Sequence, residues 1–279
     1  MSSGNDDGIW KVVGASVTGS SHSKTGVPCQ DAHAWRRVQD EWVVIAVADG
    51  AGSEPCSELG SRTAVDCAVV ELSRCVHGHI DGTGPLNDAA AWHAALRRVL
   101  ATCRDALAQM AAARERPVRE LSCTLLLTVL GPAVTSSIHV GDGAIVYEGE
   151  DGGIKVLSKP NTGEYINEVT FLPASNALET AQFSHSEDRA LSAAVFTDGI
   201  QMQTLTFPNW DPFLPFFENL FAFLHRQTDA AIAGAELEVM LNSQKLRKFS
   251  KDDITLVVAS RRSKTDGSIE IVQQPAVSH

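Results

Sequence analysis

Four aspartates stand where runs of strand-forming residues begin or end. Asp49-Gly50 closes WVVIAVA, Asp142-Gly143 follows SSIHVG, Asp198-Gly199 closes LSAAVFT, and Asp252-Asp253 opens onto ITLVVAS. A single Asp-Gly pair is an ordinary turn signal. Four acids at the ends of core-type strands imply convergence on one rim, where unscreened like charges repel by several kcal/mol. Convergence therefore implies cations. An all-oxygen donor set suits Mg²⁺ or Mn²⁺, and no cluster of cysteine and histidine competes for zinc. Glycine after the acid has its own use: Gly50 lets a main-chain carbonyl approach a metal, and Gly199 leaves room beside Asp198. Two hard cations held a few ångströms apart activate a bridging water and clamp a phosphoryl group. The chemistry that fits is hydrolysis of a phosphate ester.

The elements that must position these acids are read from periodicity. Val12 to Thr18 alternates as a first strand, a polar loop SSHSKTGVPCQD follows, and Trp42 to Ala48 is a fully buried strand. Val65, Ala68, Val69, Leu72 and Val76 form a helical stripe with Gly78 as its stop. Asn87 is expected to cap a second helix carrying Trp92, Leu96, Val99, Leu100, Cys103, Leu107 and Met110 on one face. After Pro117 the period becomes that of strands, through SCTLLLTVLG, TSSIHVGDGAIVYEG and GIKVLSK, a meander-like antiparallel sheet. LSAAVFTDG is a further strand, residues 207–223 hold six of the ten phenylalanines, and a helical pattern through Ile232, Leu237, Met240 and Leu241 precedes DDITLVVAS. The phenylalanine segment is read as a helix burying an aromatic face. This order predicts packed sheets with helices outside rather than alternating βαβ units.

Composition narrows the function. The chain has 279 residues, 44% of them hydrophobic, enough for one large core, and a single domain over 1–262 with a polar tail over 263–279 is expected. A net charge of −11 argues against a nucleic-acid binder, which needs a basic stripe. No apolar run approaches a membrane span and the start, MSSGNDDGIW, has no leader character, so the protein is expected to be soluble and cytoplasmic, with no membrane partner. The six cysteines lack a CxxC pair and are read as buried free thiols. His33 is read as a satisfied strand histidine, and Ser57, Ser61 and Thr63 as helix-start residues rather than nucleophiles.

The segments PCQDAH, VADGAGS, SCTLLL, VGDGAIV, FTDGI and DDITLVVA occur in the order and at about the spacing of the metal-dependent, type 2C serine/threonine protein phosphatases, and residues 10–260 resemble that family. GEYINEVTFL resembles its compact bacterial branch, some members of which accompany tellurite-resistance kinases and von Willebrand-type partners. The resemblance implies a four-layer α-β-β-α sandwich of two antiparallel sheets flanked by helices, an α+β fold, with two or three metals in the cleft. It implies a phosphoserine or phosphothreonine protein as substrate, and a cognate kinase and a von Willebrand-type protein as partners.

By the same resemblance Asp49 is the bridging carboxylate, Gly50 offers its carbonyl to the second metal, and Asp198 and Asp252 bind the first. Asp142 matches the position that shares a third, weaker metal with Asp198, Asp31 matches the aspartate that orients the attacking water, and Asp253 is a supporting residue. Three positions depart from the pattern. Gln30 replaces the usual glutamate, Gly26 stands where a phosphate-binding arginine is expected, and Ala51 replaces a histidine found in some members. Lys24 and His22, in the SSHSKTG loop, are the candidates to hold the substrate phosphate in place of that arginine, with His22 also able to protonate the leaving group. Gln30 and the missing arginine keep a second reading open, a catalytically weak relative that binds phosphorylated segments.

Overall fold

In the computed structural model, residues 10–160 and 169–261 are described. The tail from Ser263 and the GEYINE portion of the GEYINEVTFL segment lie outside them. The strands are β1 (Trp10–Val17), β2 (Ala32–Val38), β3 (Trp42–Ala48), β4 (Leu125–Leu130), β5 (Thr135–Val140), β6 (Ala144–Gly149), β7 (Ile154–Ser158), β8 (Gln182–Ser186), β9 (Ala190–Phe196), β10 (Leu205–Thr206), β11 (Asp211–Pro212) and β12 (Ile254–Arg261). The helices are α1 (Ser20–Thr25), α2 (Ser57–Ile80), α3 (Ala89–Ala113), α4 (Ala177–Thr180), α5 (Gln201–Thr204), α6 (Leu214–Arg226), α7 (Ala230–Leu241) and α8 (Gln244–Arg247).

Two five-stranded antiparallel sheets, β1-β12-β9-β6-β7 and β2-β3-β4-β5-β8, pack face to face. β3 shows why its sequence lacks polar alternation. Val43, Ile45 and Val47 face the other sheet, where they meet Trp10, Val12, Val195 and Val257. Trp42, Val44, Ala46 and Ala48 face outward against α2 and α3, so both faces of the strand are dry. On the other side α6 and α7 cover the first sheet through Phe217, Phe221, Leu224, Ala233 and Leu237. The layers run α-β-β-α, the expected architecture.

Several elements differ from their sequence reading. The apparent loop before β3 contains both α1 and β2. β2 is an edge strand whose Trp35 and Arg36 are exposed, which hides it from a hydrophobic pattern but suits an edge. Gly78 does not stop α2, which continues to Ile80; the left-handed residue after it is Gly82, φ 72°. Asp88 caps α3, its side chain accepting the Ala91 N–H at 2.8 Å, and Asn87 does not. The expected meander is split: β4 and β5 belong to one sheet and β6 and β7 to the other, and the chain crosses between sheets at Gly141-Asp142-Gly143. The phenylalanine segment is half as expected, with Phe217 and Phe221 buried on α6 while Phe207 and Phe213 are exposed. All six cysteines are free thiols, but only Cys103 and Cys123 are fully buried. Among the described residues no helix is long and apolar enough to cross a membrane.

Candidate metal and active site

Asp49 follows β3 directly and is pinned to the residues leading into β4. Its N–H donates to Thr124 Oγ1 (2.8 Å), its carbonyl accepts the Thr124 N–H (2.8 Å), and Gly50 bridges Cys123. Asp198 follows β9 in the same way, and Asp142 sits on the crossing from β5 to β6. Asp252 and Asp253 precede β12, and β9 pairs with both β12 and β6, so strand pairing brings the ends with Asp252, Asp253, Asp198 and Asp142 to one rim, which the crossing from β5 to β6 joins to the sheet of Asp49. Asp31, just before β2, is buried and held there by Thr197, whose hydroxyl donates to Asp31 Oδ2 (2.8 Å).

The electrostatics show how closely the acids approach. Burial raises the Asp49 carboxyl well above the usual carboxylate range, and Asp31, Asp198 and Asp252 push it further. Asp198 is raised to about 7 by burial and then by Asp142 and Asp252, and Asp142 is raised by burial and by Asp252. Asp31 is raised to about 8, mainly by burial, against the opposing hydrogen bond from Thr197. Among the described residues one oxygen each of Asp31 and Asp198 is buried without a hydrogen-bond partner, and no lysine or arginine ion-pairs with the cluster. Orphaned hard oxygens carrying mutual repulsion are the donor set that a divalent cation fits.

The two neighbouring acids at 252 and 253 divide their work. Asp253 is buried and fully engaged by main chain, its Oδ1 accepting the Gly19 N–H (2.6 Å) and its Oδ2 the Gln30 N–H (2.6 Å). It ties the 19–30 segment to the start of β12. Asp252 is exposed and accepts only the Asp253 N–H (2.9 Å), which leaves its carboxylate available. The glycines beside the acids also do something the sequence did not reveal. A Cβ on Gly199 would collide with the Asp253 carbonyl and one on Gly50 would lie 2.7 Å from the Gln30 carbonyl, so both permit backbone-to-backbone packing behind the site.

His22 and Lys24 are separated by the helix that replaces the expected loop. His22 Nδ1 lies 3.0 Å from Asp253 Oδ1, and His22, Asp252 and Asp253 bring ligand-type atoms within 4.8 Å of one another. Lys24, two residues on, is exposed with no ion pair or hydrogen bond among the described residues. Positions i and i+2 of a helix do not share a face, so α1 presents His22 and Lys24 in different directions. Gln30 is buried, with its amide oxygen unpartnered and facing Gly52. His33 is the satisfied strand histidine expected, with Ser16 Oγ at 2.8 Å from its Nδ1. Sequence reasoning missed Thr124 and Thr197, although both stand inside quoted segments, SCTLLL and FTDGI.

The protein phosphatase 2C family model matches residues 18–242 of this chain. The chain belongs to that family. Serine/threonine-protein phosphatase 3 of Escherichia coli (strain K12) is 34% identical over 258 residues, 90% of this chain and 98% of the relative. Among solved structures, the S. agalactiae serine/threonine phosphatase superposes with a TM-score of 0.62 at 13% identity, covering 91% of this chain and 100% of that one. PppA, a key regulatory component of T6SS in Pseudomonas aeruginosa, gives a TM-score of 0.60 at 18% identity over 91% and 98% of the two chains. These structural likenesses establish the fold. Membership makes the chain a type 2C protein phosphatase, a hydrolase of the metal-dependent serine/threonine class, and His22, Asp252 and Asp253 are a group that could hold a metal ion.

Proposed function

We propose that this phosphatase hydrolyses phosphoserine and phosphothreonine esters at the rim, within a single catalytic domain spanning residues 1–262. Asp49 would hold Mg²⁺ or Mn²⁺ at the centre of the site, with the Gly50 carbonyl, Asp198 and Asp252 as the further donors for two ions. Asp142 and Asp198 hold a third, weaker ion. The burial of Asp49, Asp198 and Asp142 close enough to Asp252 for it to raise all three, with an oxygen of Asp198 left without a hydrogen-bond partner among the described residues, carries this reading. The ions, when bound, supply positive charge for the phosphoryl oxygens and make a water nucleophilic at neutral pH.

The remaining roles belong to the chain's own groups. Asp31, locked by Thr197, orients the attacking water. His22, whose Nδ1 lies 3.0 Å from Asp253 Oδ1 without hydrogen-bond geometry, carries a proton to the departing alkoxide from Nε2. Gln30 offers a neutral amide oxygen where a carboxylate would add charge, which leaves the loaded site more attractive to a phosphate dianion. A cognate kinase that makes the phosphoprotein and a von Willebrand-type protein are the proposed partners, in the cytoplasm.

Calorimetric titration with Mn²⁺ tests the ligand set without turnover. Asp49→Asn should abolish tight binding, and Asp142→Asn should keep the tight ions and lose only the weak one. An Asp49→Asn protein that binds as many ions as the parent, equally tightly, would remove Asp49 from the site.

A further inference from the structure

A cleft of about 620 Å³ lies against the Asp49 loop, and no role described above uses it. Its first wall is the turn at Val118, Arg119 and Ser122; its second includes Thr170, Phe171 and Asn176. Both walls are tied to the loop that carries Asp49. The Ala51 N–H donates to the Ser122 carbonyl (2.9 Å), and the Cys56 N–H donates to the Glu120 carbonyl (3.2 Å). Leu172, inside the second wall, donates its N–H to the Cys123 carbonyl (2.8 Å), and Cys123 is the residue that bridges Gly50. The cleft is therefore one strand spacing beyond the metal loop.

Its chemistry is specific. The lining is apolar at Val118 and Phe171, carries neutral polar groups at Ser122, Thr170 and Asn176, and includes no carboxylate among the described residues. Arg119 is exposed there and its guanidinium has neither a hydrogen bond nor an ion pair to any described residue, whereas nearby Arg116 pairs with Glu120. In a chain of net charge −11, an unpaired guanidinium in a cleft beside the reaction centre attracts an anion.

We propose that this cleft is a specificity subsite for the polypeptide that flanks the phosphorylated residue, and that Arg119 selects an acidic side chain within it. Adjacent strands lie about 5 Å apart and extended chain rises about 3.3 Å per residue, so the selected acid lies two to four positions from the phosphoserine. Val118 and Phe171 hold the intervening aliphatic atoms. The inference rests on the rim being the phosphatase centre, and it adds which phosphoproteins are turned over fastest.

The test compares phosphoserine peptides in which one glutamate, glutamine or lysine is walked from four positions before the phosphoserine to four after it. Each kcat/KM is divided by that of p-nitrophenyl phosphate, which is too small to reach the cleft, for the same protein sample. The parent should prefer glutamate over glutamine by about three- to tenfold at one or two positions. Arg119→Lys should keep part of that preference, and Arg119→Glu should shift it to lysine. Should Arg119→Glu fail to fold, Asn176→Asp places a carboxylate on the opposite wall and should also weaken the glutamate preference. A preference unchanged in Arg119→Glu and Asn176→Asp, or absent from the parent, overturns the subsite while hydrolysis of the aryl phosphate stands. Loss of Mn²⁺-dependent aryl phosphate hydrolysis by the parent would instead overturn the assignment of the rim.

Discussion

His139 makes the stability of this phosphatase depend on pH in a way that can be isolated. It lies on β5, buried between the sheets, with Ser158 Oγ of β7 at 2.8 Å from its Nδ1 and no partner for Nε2. Burial lowers its pKa from 6.5 to about 4. The unfolded chain therefore binds a proton that the folded chain refuses, so the stabilisation is full above about pH 6.5 and is lost as pH falls towards 4. Between pH 7 and pH 5 this one group should cost about 2 kcal/mol, at 1.36 kcal/mol per pKa unit. The rim carboxylates act in the opposite direction in metal-free protein, because their raised pKa values stabilise at low pH and lose that contribution as pH rises towards 7 to 8. A difference measurement removes them. His139→Gln keeps a polar group beside Ser158 and does not titrate. Urea unfolding followed by tryptophan fluorescence in EDTA, at pH 7, 6 and 5, should show the parent losing about 2 kcal/mol relative to the variant. Parallel curves would mean that His139 is solvated or charged in the folded protein.

Gly60 of α2 packs so closely on the Leu121 carbonyl that any Cβ collides with it, so Gly60→Ala should destabilise by about 1–3 kcal/mol in urea; a change within the noise would show that α2 can lift freely. Gln30→Glu should tighten Mn²⁺ binding by about tenfold in calorimetry, since ligand charge count sets affinity for hard cations, and equal affinities would place the side chain away from the metals. His22→Ala should slow alkyl phosphates more than aryl phosphates, whose leaving groups need less protonation. Lys24→Ala should raise KM for phosphopeptides, and an unchanged KM would leave Lys24 as solvated surface.

Sequence legibility tracked how strongly each element is forced by burial. β3, β9 and β12 were readable because dry strands leave long β-branched runs, and each delivers an acid at its end. β2 is marked in the sequence only at His33 and has no legible bounds, because an edge strand with solvent on one side needs no such run, and AHAWRRV has none. α1 was taken for a loop because SSHSKT buries nothing; its N-cap, Gly19, has no side chain and is instead held through its N–H by Asp253. The split of β4 to β7 between two sheets depends on long-range pairing that strand periodicity does not encode. At the rim the acids are identifiable by type, and the family resemblance separates Asp252 as a ligand from Asp253 as a support; what Asp253 supports, the Gly19 and Gln30 amides, is visible only in the fold. Arg119 belongs to no motif, and its meaning comes entirely from the cleft it lines.

The most direct test of the central claim is phosphate release from a phosphoserine peptide, measured for the metal-stripped parent before and after Mn²⁺ is added, alongside Asp49→Asn. The parent should be inert in EDTA and recover fully on adding Mn²⁺, while Asp49→Asn should stay lower by orders of magnitude at saturating Mn²⁺ with an unchanged circular dichroism spectrum. Equal turnover by parent and variant, or turnover by the parent that survives metal removal, would contradict a phosphatase whose chemistry is held at Asp49.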